Sequence, residues 1–188
     1  ILASFRKDKD WCAMGRNFDA TQISLAGRTF AQAEMMAGQY FRLSPAEWKG
    51  HRYDVKTLAF LERHEVREGA FAHLCRYQYR KERKDGEGVF HFYRICLQDD
   101  RILDAVERAR SFIRLAPLLL YIAAHELVHV VRFEQGEGNF DAPETEKSSE
   151  EQTVHRITRN LLKPLTDPDL NLVLDCFSNR YQIGDLMQ

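Results

Sequence analysis

Two histidines and a glutamate stand together in His125-Glu126-Leu127-Val128-His129. On an α-helix four residues turn through about 400°, so the two imidazoles lie on one face, one turn apart. Two neutral imidazoles at that spacing can bind one Zn²⁺ at about 2.0–2.1 Å. Glu126 is one residue on from His125 and so sits beside such an ion rather than on it. From there its carboxylate can take a proton from a water on the metal and hand it to a leaving group. The H-E-x-x-H pattern is thus a mechanism expressed as a spacing. Its surroundings strengthen the reading. Leu118 to Ala124 and Leu127-Val128-His129-Val130-Val131 make an almost wholly apolar helix. Burying two histidines and a glutamate there without partners is costly, and a metal removes the cost.

A catalytic zinc usually has three protein ligands and an open position. The segment Ser149-Glu150-Glu151-Gln152-Thr153-Val154-His155 offers the third. Glu151 and His155 are four apart and share a helix face, with Glu150 about 100° round from Glu151. Glu151 is the first choice. His155 as the ligand, Glu150, and a set holding both Glu151 and His155 stay open as alternatives.

This pairing of H-E-x-x-H with a downstream glutamate helix resembles the zincin metallopeptidases, and within them the gluzincins. In that group a glutamate on the helix after the active-site helix is the third ligand. A polar residue four positions later, commonly Asp or Asn, supports a ligating histidine. Glu151-Gln152-Thr153-Val154-His155 looks like that E-x-x-A-[DN] pattern, with Val154 at the small position and His155 at the polar one. The run to Leu161-Leu162-Lys163-Pro164 is similar to the end of the same helix in small bacterial peptidases acting on phage repressors and radiation-response regulators. The likeness spans Pro117 to Pro164 and no family is recognised in the first hundred residues. It implies a zincin-like α+β fold with one Zn²⁺ on His125, His129 and Glu151, Glu126 as general base, and a peptide or protein substrate. His155 departs from the pattern and is either a ligand itself or a support for one.

Two rivals belong to other classes. A closed four-ligand site would be a structural staple in a binding or regulatory protein. Histidine and carboxylate ligands also suit iron or manganese. Peptide hydrolysis further needs a donor for the developing oxyanion, and Tyr93, His91, Tyr181 and Arg132 are the candidates.

The elements around the motif are legible in outline. Periodicity predicts a helix over Thr21 to Tyr40 and another over Tyr53 to Glu65. Phe71 to Tyr79 and Phe90 to Leu97 read as two antiparallel strands. Between them Arg80 to Gly88 is a charged, glycine-punctuated turn. Helical patterning resumes at Asp104. Pro117 opens the motif helix, which ends near Gly136 and Gly138. Ser148 or Ser149 would cap the glutamate helix, closed by Pro164, and Leu170 to Phe177 makes a last helix. The expectation is a single α+β domain over 1–188, with a loose arm over 1–20. Helices and a small antiparallel hairpin occupy 21–100, and a metal-binding helical half 101–188.

Composition excludes several classes. The chain has 188 residues, 44% hydrophobic and 29% charged, so it can build a core. Lys plus Arg number 27 and Asp plus Glu 28, and that balance argues against a nucleic-acid wrapper. The one dense basic patch is Arg76, Arg80, Lys81, Arg83 and Lys84. The longest apolar run, Leu115 to Ala124, is short of the ~20 residues of a membrane span. Cys12, Cys75, Cys96 and Cys176 form no C-x-x-C pair and read as reduced thiols in a cytoplasmic protein. Ile1 is not an initiator methionine, so a preceding segment is allowed for. No feature sets an oligomeric state.

Overall fold

The computed structural model describes residues 16–83, 86–110 and 112–177, without the side chains of 81–89. Among these residues the fold is α+β, six α-helices against a three-stranded mixed sheet.

Helix α1 (Ala20–Tyr40) opens on a reciprocal cap. Asp19 accepts the Gln22 N–H at 2.8 Å and Gln22 accepts the Asp19 N–H at 2.9 Å. Its buried face, Ala26, Thr29, Phe30, Ala33 and Ala37, consists mostly of small residues, which lets another helix approach closely. Of the arm expected over 1–20, residues 1–15 lie outside the described residues. The remainder is anchored, because Phe18 is in the core and donates its N–H to Asp99 at 2.9 Å. After α1 comes the short α2 (Pro45–Gly50), with Pro45 at its start and a Ser44/Glu47 capping box.

The helix expected over Tyr53 to Glu65 does not form. Tyr53–Lys56 is strand β1, followed by 3₁₀ turns at Leu58–Phe60 and Arg63–Glu65. Leu58 and Leu61 are buried while Ala59 and Phe60 face solvent, so the apolar run never shared one α-helical face. Tyr53 and Val55, which suit a pleated strand, instead satisfy the open edge of a neighbour. That neighbour is β3 (Gly86–Leu97), which pairs antiparallel with β2 (Ala72–Arg83) and parallel with β1. The sheet order is β1-β3-β2, so the expected antiparallel sheet is in fact mixed. The hairpin is longer than expected, running to the pair Arg83–Gly86, with 84–85 outside the described residues.

Chain direction reverses at Gln98 into α3 (Asp99–Arg108), five residues earlier than Asp104. Asp99, fully buried, accepts N–H groups from Phe18 at 2.9 Å and Leu58 at 3.0 Å, tying three segments together. Helix α4 (Leu115–Glu134) holds Pro117 in its first turn and ends at Gly136, whose φ of +72° suits glycine. It is long and apolar enough to cross a membrane by length and composition, but most of it lies inside this fold. Leu118, Leu119, Leu127 and Val128 are its core, against which α1 and the sheet pack. Helix α5 (Glu144–Leu162) starts four residues before the expected serine cap. Pro143 supplies the extended entry, and Glu144 and Glu146 favour the positive end of the helix dipole. Ser148 and Ser149 are therefore inside the helix. Finally α6 (Pro168–Cys176) is capped by Asp167, which accepts the N–H of Asp169 at 2.8 Å.

Candidate metal centre

Helix α4 presents a stripe at intervals of four residues: Tyr121, His125, His129 and Phe133. The rings contact one another along it. His125 and His129 have centroids 4.9 Å apart, and Phe133 stacks on His129 at 5.5 Å. Helix α5 lies alongside and brings Glu151 to the two imidazoles. His125 Nε2 is 3.3 Å from Glu151 Oε2, and His129 Nε2 is 3.2 Å from Glu151 Oε1. Ligands held at 2.0–2.1 Å around a tetrahedral zinc stand about 3.3 Å apart, so the donor set fits that ion. Nδ1 of both histidines is buried without a hydrogen-bond partner, so each ring is oriented through Nε2.

The alternatives for the third ligand are placed elsewhere. Glu150 is held by Arg132, whose Nε and Nη2 donate to its two oxygens at 2.8 and 2.9 Å. Gly138 permits this packing, since a Cβ there would lie 2.8 Å from Glu150 Oε1. His155 has its Nδ1 2.5 Å from Tyr121 Oη, with its ring centroid 4.6 Å from that of His125. It thus sits behind the first histidine, bonded to a phenol.

Electrostatics follow from burial and from this convergence. Burial pushes Glu126 up to about 7. It also drives His125 down to about 4, against the opposing pull of Glu151. At His129 burial is outweighed by Glu151 and Glu126, and the pKa rises. Glu151 is raised by burial but lowered more by hydrogen bonds from both histidines, and stays well below the usual carboxylate range. His155 is lowered by its burial.

These groups line a cleft of about 760 Å³ that runs between α4, α5 and the β2 end of the sheet. His125, Glu126, His129, Glu151 and His155 face it from the helices, and the Ala72–Leu74 stretch of the edge strand borders it. Glu151 is 51% exposed, so the carboxylate opens outward. Of the expected oxyanion donors, Tyr93 is sealed in the core against Phe133. Arg132 is occupied by Glu150 and Glu137. His91 does not line the cleft, and Tyr181 lies outside the described residues. Sequence reasoning missed Tyr121 and Phe177. The first was findable, one turn before His125 by the spacing that links the histidines. The second was not: Phe177 follows α6 and stacks on Tyr121 at 4.2 Å only because the chain folds back.

Of the basic patch on the hairpin, Arg76 pairs with Asp141 at 2.6 Å and lies over the Phe140 ring. Compared with known proteins, the chain matches no family model, no curated protein and no solved structure.

Proposed function

We propose that the protein is a metal-dependent hydrolase, a zinc peptidase in which His125, His129 and Glu151 hold one ion. The observation carrying this reading is the approach of both Nε2 atoms to the two oxygens of one carboxylate, at 3.2 and 3.3 Å, on the wall of an open cleft. When bound, Zn²⁺ supplies Lewis acidity, polarising a carbonyl and acidifying water. Glu126, buried next to His125 and raised toward neutrality, takes the proton of the attacking water on its carboxylate and passes it to the leaving amine. The Tyr121–His155 contact and Phe177 pack the back of His125 and keep its ring in place. Among the described residues strand β2 is paired on one side only, and its residues 72–74 border the cleft. An extended peptide can add to that edge by main-chain hydrogen bonds, which suits a peptide or protein substrate.

The test compares wild type with Glu126→Gln for metal content and for cleavage of an unstructured protein substrate. The variant is expected to keep its metal and lose about 10²–10⁴ in rate, the usual worth of a positioned acid–base group. Unchanged hydrolysis by the variant overturns the assignment of the base.

A further inference from the structure

A second group of ligating side chains lies on the sheet. The β2/β3 register sets Cys75 opposite Arg94 and His73 opposite Cys96, so His73, Cys75 and Cys96 occupy one face. Their ligating atoms all fall within 4.8 Å of one another. The face is the one turned away from α4, and the 3₁₀ turns fold over it: Leu58, Leu61 and Val66 pack around Cys96 and Cys75. Cys96 is fully buried. His73 Nε2 is 3.6 Å from Cys75 Sγ, and its Nδ1 is buried with no hydrogen-bond partner.

We propose that His73, Cys75 and Cys96 form a second metal site, which takes a zinc-class thiophilic ion through two thiolates and one imidazole.

Two observations carry it. First, bond lengths of 2.3 Å to sulfur and 2.0–2.1 Å to nitrogen place the two ligands of a tetrahedral zinc about 3.6 Å apart. That is the separation of Cys75 Sγ and His73 Nε2. Second, the thiols are free and their register opposes a disulfide. Cys75 and Cys96 are diagonal partners, and diagonal Cα atoms in an antiparallel pair stand about 7–8 Å apart, at or beyond the reach of a disulfide. A metal bridges sulfurs from farther away. Binding the ion as a dithiolate displaces both thiol protons to solvent, so the site takes a cation and releases protons. Glu65 is engaged by Arg94 and Tyr77, which leaves three protein ligands among the described residues.

The experiment is cobalt substitution and metal counting on the reduced full chain. Cobalt bound by Cys75 and Cys96 gives a thiolate-to-metal charge-transfer absorption that the histidine–glutamate centre cannot give. Two equivalents of metal per chain are expected. The His125→Ala/His129→Ala double variant should retain one equivalent and the absorption, and Cys75→Ala should retain one equivalent without it. No charge-transfer absorption in cobalt-loaded wild type overturns the proposal. So does its loss with the two helix histidines, or a Cys75–Cys96 disulfide in the protein as purified. Failure of the helix centre alone leaves the thiolate signal intact, so the two readings fall separately.

Discussion

Between α4 and α5, three ligating groups come from two helices and open on a cleft, with Glu151 51% exposed. Between β2 and β3, three ligating groups come from one hairpin and lie beneath Leu58 and Leu61, with Cys96 fully buried. The donors differ as well: imidazole and carboxylate in the first, thiol and imidazole in the second. An open carboxylate site leaves room for a substrate, whereas a covered thiolate site binds softer ions tightly and holds strands in register. The two clusters are neighbours, since His73 is close enough to Glu126 to help lower its pKa. On the two proposals above, one chain places a site suited to chemistry beside one suited to fastening.

The largest way to break this contrast is to remove the support of the sheet cluster. Arg94 lies on the thiol face, gripping Asp54 through two 2.8 Å hydrogen bonds and Glu65 through one of 2.9 Å. Glu65 is fully buried, and Tyr77 and the Glu62 N–H are its other donors. Replacing Arg94 with Met strands a buried charge and is expected to cost about 3–5 kcal/mol in urea unfolding at pH 7. The sign of the pH dependence follows. At Glu65 burial raises the pKa, but hydrogen bonds from Glu62, Tyr77 and Arg94 hold it below 4.5. The folded state therefore gains stability from the ionised group above pH 4.5 and loses it as pH falls through the lower folded value. Glu65→Gln should lie below wild type at neutral pH, with the gap closing in acid. A gap that widens in acid would contradict the geometry.

If it holds zinc as proposed, the helix cluster should give a smaller, zinc-dependent effect. Free zinc at 100 times its dissociation constant stabilises a single-site protein by about 2.7 kcal/mol. His129→Ala should lose that increment at the α4–α5 centre, while a thiolate contribution persists. Thermal unfolding against zinc concentration reads both, and a single zinc dependence abolished by His129→Ala would merge the two clusters into one.

The difference also explains what could be read from the chain. His125, Glu126, His129 and Glu151 were legible because helical spacing is local: four residues apart is one face wherever the helix sits. His73, Cys75 and Cys96 were not, because Cys96 meets His73 through a strand register set by the whole hairpin. The same distinction governs the fold. Helices α1 and α4 followed their own periodicity and caps. The Tyr53 to Glu65 segment read as a helix because Val55, Leu58 and Leu61 recur at helical spacing, whereas the open edge of β3 takes up Tyr53–Lys56 as a strand and Leu58 and Leu61 fall in and just after a 3₁₀ turn. The start of α5 was misplaced for a local reason, a serine cap overweighted against Pro143 and the good helix formers after it.

The finest separation concerns what holds the cover over the thiols. Asp99 accepts the Leu58 N–H with Oδ1 and the Phe18 N–H with Oδ2. Asparagine retains one acceptor and turns an NH₂ toward the other N–H, so Asp99→Asn should cost about 1–3 kcal/mol. The Leu58 turn and the Phe18 segment should loosen together, read as faster amide exchange at both. Arg16, two residues before Phe18, also pairs with Glu107 at 2.8 Å, but both side chains are more than half exposed. Glu107→Gln should therefore change stability by no more than about 0–1 kcal/mol and leave Leu58 exchange untouched. If instead Glu107→Gln loosens Leu58 as much as Asp99→Asn does, the cover is held from the surface and the thiol cluster is less enclosed than its burial implies.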